Sequence, residues 1–332
     1  MTDELILVAG GGGFIGGHLV AHFRDRGYKR IRSVDVKPFD EWYQRFEDVE
    51  NVQADLKLRE ACVTACQGAN EVYNLAADMG GMGFIENNRA LCMLNVLINT
   101  HLLQAAQDAN VGRFFYASSV CVYNADQQRN EDEVPLKECD AYPAMPEDGY
   151  GWEKLFSERM CRHFREDFGL ATRVARFHNV YGPHGAWDGG REKAPAAICR
   201  KVIHALETGA HEIEIWGDGQ QTRSFMYIDD CIEGILRIMH SNIDEPVNLG
   251  TDEIITINGL VAMVEDIAGV ELKHQHNLSA PKGVNCRNCD NALIKKYLGW
   301  GPGIRLREGM ERTFRWIHKE YLAARRVEIV RT

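Results

Sequence analysis

Five apolar residues, Leu5-Ile6-Leu7-Val8-Ala9, run straight into Gly10-Gly11-Gly12-Gly13-Phe14-Ile15-Gly16, and a helical pattern follows through Arg26. No other stretch limits the fold so strongly. A short, wholly apolar run suits a strand buried on both faces, glycines allow a tight turn, and the residues beyond keep helical period. Strand, glycine turn and helix in that order bring backbone close to a pyrophosphate and aim helix N-terminal amides at it, so the stretch predicts a dinucleotide site. Gly10, Gly13 and Gly16 stand three apart. A flexible loop is the plainer reading of the glycines alone, and the strand before and helix after argue against it.

The second strand, Ile31 to Val34, ends at Asp35, about twenty residues past the glycines, where an acid takes ribose hydroxyls and favours NAD. Lys37 close by is the kind of cation an NADP 2′-phosphate would want, and a helix-capping aspartate is the plain alternative. Strand and helix then alternate: Val52 to Ala54 before Asp55, a helix near Leu58 to Cys66, Val72 to Ala76, a long helix near Asn87 to Asn110, Phe114 to Ala117, a helix from Tyr150 to about Phe168, and Ala171 to Phe177. Such alternation predicts an α/β chain, a doubly wound parallel-sheet Rossmann fold over residues 1–180. Residues 181–332 read as a smaller mixed α/β substrate-binding domain, with some segments returning to the first.

The balance of the chain narrows its partners. With 332 residues, 45% hydrophobic and 26% charged, it can bury a full core. A net charge of −10 without basic runs argues against nucleic acid or an anionic membrane as partner. No apolar run reaches the ~20 residues of a membrane span, and Met1-Thr2-Asp3-Glu4 is acidic where a secretory signal is basic. Ten scattered cysteines fit a reducing compartment, so the expected location is cytoplasmic.

Doubly wound sheets present ligands at the carboxyl ends of their strands, which here are Asp55, Ala76 to Gly83, Ser118 to Cys121 and Phe177 to Tyr181. Tyr150-Gly151-Trp152-Glu153-Lys154 adds a phenol and an ammonium four residues apart, on one helix face. A cation beside a tyrosine favours the phenolate, so the pair can move a proton near neutrality; an ordinary surface Tyr and Lys are the alternative. Glu131-Asp132-Glu133 reads as a solvated face, and Asp229-Asp230 as a helix cap. Cys286-Arg287-Asn288-Cys289 has metal-like spacing without a second pair, and His274 with His276 reads as a surface pair; no metal site is expected.

In order and spacing the glycine turn, Asp35, Ser119 and Tyr150-x-x-x-Lys154 resemble the extended short-chain dehydrogenase/reductase superfamily, in its nucleotide-sugar branch. Longer stretches, Ala77 to Ile85, Arg176 to Pro183, Gly189 to Pro195 and Trp216 to Phe225, narrow the resemblance to the GDP-mannose 3,5-epimerases, from Leu5 to beyond Trp316. The chain departs from that pattern at Asn124, where a proline usually follows the tyrosine, and at Asn285 and Cys286, where Arg and Gly are expected. The resemblance implies NAD on Gly10, Gly13, Phe14, Ile15, Gly16, Asp35, Asp55, Tyr150 and Lys154. It implies a GDP-sugar on Gly80, Ser119, Val120, Cys121, Tyr150, Asn179, Glu192, Lys193, Ala194, Lys201, Gln221, Thr222, Arg223 and Arg287, the cations suiting phosphates. It makes Tyr150, Lys154 and Ser119 the redox group, Cys121 and Lys193 the acid/base pair, and a homodimer the expected assembly.

The implied chemistry explains these residue types. A sugar C–H is hardly acidic, whereas a proton α to a ketone yields to a modest base, so oxidation at C4 by NAD would come first, with Tyr150 taking the hydroxyl proton. Inversion at C5 and C3 by Cys121 and Lys193, then re-reduction, would convert GDP-mannose to GDP-L-galactose, or to GDP-L-gulose if C5 alone inverts. A UDP-hexose 4-epimerase, in which Cys121 is mere packing, and a non-catalytic NAD or nucleotide-sugar sensor are the alternatives.

Overall fold

The computed structural model describes residues 3–128, 135–147, 149–280 and 284–331. The Glu131-Asp132-Glu133 run lies outside them. In chain order the first part comprises β1 (Leu5–Ala9), α1 (Phe14–Asp25), β2 (Ile31–Asp35), β3 (Glu50–Gln53), α2 (Arg59–Cys66), β4 (Ala69–Asn74), α3 (Met82–Asn87), α4 (Arg89–Met93), α5 (Asn95–Asp108), β5 (Arg113–Ser119), α6 (Tyr150–Phe168) and β6 (Ala171–Phe177). The rest comprises β7 (Val180–Tyr181), α7 (Ala194–Thr208), β8 (Glu212–Trp216), β9 (Thr222–Ser224), β10 (Met226–Tyr227), α8 (Ile228–Met239), β11 (Val247–Leu249), β12 (Ile254–Thr256), α9 (Ile257–Ala268), β13 (Lys273–Asn277), β14 (Cys286–Arg287), α10 (Ala292–Leu298) and α11 (Leu306–Arg331).

Seven parallel strands stand in the order β11-β6-β5-β4-β1-β2-β3, with β1 at the switch point between β4 and β2. Every residue of β1 is buried, because apolar clusters cover both faces of the sheet: Ile6 and Val8 pack into one, Leu5 and Leu7 into the other. The doubly wound architecture expected from the alternating pattern is the one observed. β11 comes from late in the chain, yet it pairs with β6 from Val247↔Ala175 to Leu249↔Phe177.

The long helix expected near Asn87 to Asn110 is instead three, α3, α4 and α5. Asn88 leaves helical geometry at φ −131°, and its side chain donates to the Phe84 carbonyl (2.8 Å), competing with the backbone ladder. Asn95 then grips the loop after β4, accepting from Asp78 N (2.8 Å) and donating to Asp78 O (3.0 Å). Asp229 and Asp230 also differ from expectation. They lie inside the first turn of α8, where Asp230 accepts from Gly303 N (3.0 Å) and Ile304 N (2.8 Å) and Asp229 pairs with Arg312 (3.4 Å). They fasten the C-terminal helix region rather than cap their own.

Candidate active site

A cleft of about 880 Å³ runs along the carboxyl ends of the strands, from Asp35 and Asp55 past the glycine turn to Ser119, Tyr150 and Lys193. Its floor needs glycine. Gly10 sits at φ +85°, where a Cβ would lie 2.8 Å from the Ala76 amide nitrogen, and a Cβ on Gly16 would overlap the Gly10 carbonyl. Trp42 lies over Gly12, its ring 2.7 Å from where that Cβ would be. Asp35 and Asp55 each fold a tight turn, accepting from Lys37 N (3.1 Å) and Lys57 N (2.9 Å). The Lys37 ammonium lies over the Tyr43 ring (4.7 Å). A cradle closed to any side chain, α1 opening onto it, and two carboxylates at the strand ends fit a dinucleotide.

At the far end α6 and the turn after β5 meet. Ser119 caps that turn, accepting from Cys121 N (3.2 Å), and its side chain also hydrogen-bonds Tyr150. Tyr150, Val120 and Cys121 are buried in one apolar cluster with Ile85 and Cys92. Lys154 donates to the Ala117 carbonyl (3.2 Å), 5.5 Å from the Tyr150 ring centre. The expectation that Lys154 lowers the Tyr150 phenol meets a stronger effect. Burial pushes the phenol well above its ordinary value, Cys121 and Glu153 add to the rise, and the Ser119 hydrogen bond opposes it.

Lys193 caps α7 just beyond the glycine-rich loop, which docks on the residues before it. Gly81 N donates to Arg191 O (3.2 Å), a Cβ on Gly81 would lie 2.8 Å from the Glu192 carbonyl oxygen, and the Arg191 guanidinium covers Phe84 (4.1 Å) while reaching Asp78 (3.4 Å). Desolvation draws the Lys193 ammonium below the ordinary lysine value, with Cys121 and Cys231 acting against that fall.

The remaining expected sugar contacts form a second group. Ala194 starts α7, and Glu192 is engaged by Arg200 (2.9 Å) and Gly190 N (2.7 Å). Lys201 donates to Glu214 O (2.7 Å) and lies 5.8 Å from the Trp216 ring, and Gln221 donates to Trp216 O (3.2 Å). Thr222 N donates to Asn285 O (2.9 Å), and Arg223, brought down to about 10 by burial, donates to Val284 O (2.6 Å). Asn179, at φ +42°, donates to Ser224 O (3.1 Å). Arg287 lies against the thiol. Its guanidinium contacts the Cys121 sulfur (3.9 Å) and Gln128 Oε1 (3.2 Å) and is ion-paired with Glu147. Sequence reasoning passed over Trp42 and Glu147, and it quoted Arg191 and Trp216 within longer stretches without giving either a role.

Among the described residues no cluster of three or more His, Cys, Asp or Glu could hold a metal ion. Cys286 and Cys289 are buried, Cys289 bonded to Asn291 (3.2 Å), and His274 and His276 bond Glu265 (2.9 Å) and Asn258 (3.2 Å).

Residues 6–250 match the model of the NAD dependent epimerase/dehydratase family. The chain belongs to that family. GDP-mannose 3,5-epimerase of Arabidopsis thaliana is 45% identical over 95% of this chain and 82% of its own. UDP-glucose 4-epimerase of Thermotoga maritima, solved with UDP-glucose, superposes at a TM-score of 0.86 with 24% identity, covering 96% of this chain and all of its own. MoeE5, solved with UDP-glucuronic acid and NAD, gives 0.80 with 26% identity over the same shares. This epimerase/dehydratase family member is an epimerase with NAD as cofactor.

Proposed function

We propose that the enzyme epimerises GDP-mannose at C3 and C5, giving GDP-L-galactose, or GDP-L-gulose when C5 alone inverts. One observation carries the reading: Lys193 lines the cleft with Ser119 and Tyr150, and Cys121, two residues after Ser119, is buried in one cluster with Tyr150, so two further groups able to move protons stand beside the Tyr150–Ser119 pair. A 4-epimerase needs only the latter. The glycine turn, Asp35 and Asp55 would hold NAD along the cleft, where it would supply the hydride acceptor and donor for C4 and a positive ring charge.

Tyr150 accepts the C4 hydroxyl proton, and Ser119, already bonded to the phenol, donates toward the same oxygen. With C4 a ketone, the C5 and C3 protons lie α to a carbonyl. Cys121 removes each from one face, and Lys193 delivers its replacement from the other. Desolvation suits the delivery, since a lysine whose charge is costly gives up its proton readily. The Arg287 guanidinium donates toward the Cys121 sulfur. Trp216, Lys201, Gln221 and Arg223 line up as the nucleotide end, with Arg223 facing the diphosphate.

A second copy of the chain covers the exposed apolar face made by Leu94 and Leu97 beside α5 with Trp152 and Phe156 on α6. The ten unpaired thiols suit the cytoplasm. Turnover of GDP-mannose, UDP-glucose and UDP-galactose with product identification tests the assignment. Inversion of GDP-mannose alone at C3 and C5 supports it, and interconversion of the UDP-hexoses at C4 contradicts it.

A further inference from the structure

Glu153 lies one residue before Lys154, in the first turn of α6, where a carboxylate ordinarily faces water and the helix dipole. Here its side chain is 1% exposed. One oxygen accepts from Ser157 Oγ (3.0 Å) and Tyr116 OH (3.2 Å), while the other has no hydrogen-bond donor among the described residues and lies 3.8 Å from the Lys154 ammonium. Adjacent helix residues do not normally face each other, so the two meet only because both turn toward β5. A buried carboxylate with an unbonded oxygen is costly unless a charge compensates it.

We propose that Glu153 is a positioning residue, whose buried carboxylate balances the charge of Lys154 and fixes its ammonium between the rings of Tyr116 and Tyr150. Lys154 Nζ lies 4.8 Å from the first ring centre and 5.5 Å from the second. Neither Glu153 nor Tyr116 lines the cleft, so Glu153 acts on substrate only through Lys154 and Tyr150. The groups facing the phenol are Ser119 and Tyr116 of β5, Cys121 in the following turn, Cys92 of α4, and Glu153 and Lys154 of α6. Of these Glu153 is the buried carboxylate, and it resists formation of the phenolate. Burial, with Glu153 adding to it, keeps the phenol protonated, and the Glu153–Lys154 pair is neutral as a whole before ligands arrive.

The inference rests on Tyr150 being the C4 base, and the test separates the two claims. Epimerisation by the NAD-loaded enzyme is followed as kcat/KM against pH for wild type, Glu153→Gln, Glu153→Asp and Tyr150→Phe, with bound NAD and Tm measured for each. Loss of the carboxylate moves the acid limb of Glu153→Gln to lower pH, because the phenolate forms more readily; Glu153→Asp keeps the charge and leaves the limb at its wild-type position. Bound NAD is the same in both. An unmoved limb in a folded Glu153→Gln, or equal movement in the aspartate variant, overturns the proposal while leaving Tyr150 as base; full turnover by Tyr150→Phe overturns the reading beneath it. Should Glu153→Gln fail to fold, removing Lys154 as well (Glu153→Gln with Lys154→Met) restores the lost Tm if the two charges balance each other. A double variant no more stable than the single one is the contrary result.

Discussion

Gly151 rests on the backbone carbonyl of Cys121: a Cβ there would overlap that oxygen and stand 3.1 Å from the Pro146 Cβ. Thus α6, which carries Tyr150 and Lys154, is seated on the turn that carries the thiol, and the distance between the proposed redox group and the proposed acid/base thiol depends on a residue without a side chain.

Two effects oppose each other in Gly151→Ala. Alanine favours a helix interior by roughly 0.5–1 kcal/mol over glycine, whereas forcing a methyl into a filled site costs about 1–3 kcal/mol. The overlap is with backbone, which cannot rotate away, so the cost wins. Thermal unfolding is expected to show a lower Tm, and activity to fall further than stability explains. A raised Tm with full activity would mean that the seat is loose.

Cys121→Ala separates the halves of the reaction. Tyr150, Lys154 and the cofactor remain, so oxidation and reduction at C4 continue, seen as transient absorbance of reduced cofactor. Inversion falls on the order of 10²–10⁴-fold. Cys121→Ser restores the packing but offers a much weaker acid than a thiol of ordinary value ~8.5, so it does not restore inversion. Inversion at the wild-type rate in the serine variant would make the cysteine structural.

Lys193 gives the pH dependence a sign. Its ammonium is drawn below the ordinary lysine value, so the protonated form that delivers a proton is present at low pH and lost as pH rises through that lowered value. Inversion therefore has an alkaline limb below the usual lysine range. Lys193→Arg keeps the charge without a transferable proton; its residual activity is expected to lack that limb, and a persisting limb would assign it to another group.

How much of this was legible in the sequence follows from how local each feature is. The β1 run, the glycine turn and α1 are contiguous, and their period reads directly. By contrast β11 has three residues, Val247 to Leu249, too few to show a pattern, and earns its place in the sheet only by pairing with β6. The break at Asn88 and Asn95 comes from side chains bonding backbone, one of them across to the loop after β4. Glu153 looks like a surface residue beside Trp152, and only the tertiary structure turns it toward Tyr116. The placement of Arg287 on Cys121 depends on a contact across 166 residues, which no spacing rule conveys.

Proton NMR of GDP-mannose incubated with the purified enzyme in deuterium oxide tests the central claim most directly. The account predicts that solvent deuterium enters at C5 and C3, with GDP-L-galactose and GDP-L-gulose formed, while C4 keeps its original hydrogen because that hydrogen returns from the cofactor. Inversion confined to C4, with no deuterium at C3 or C5, would contradict it.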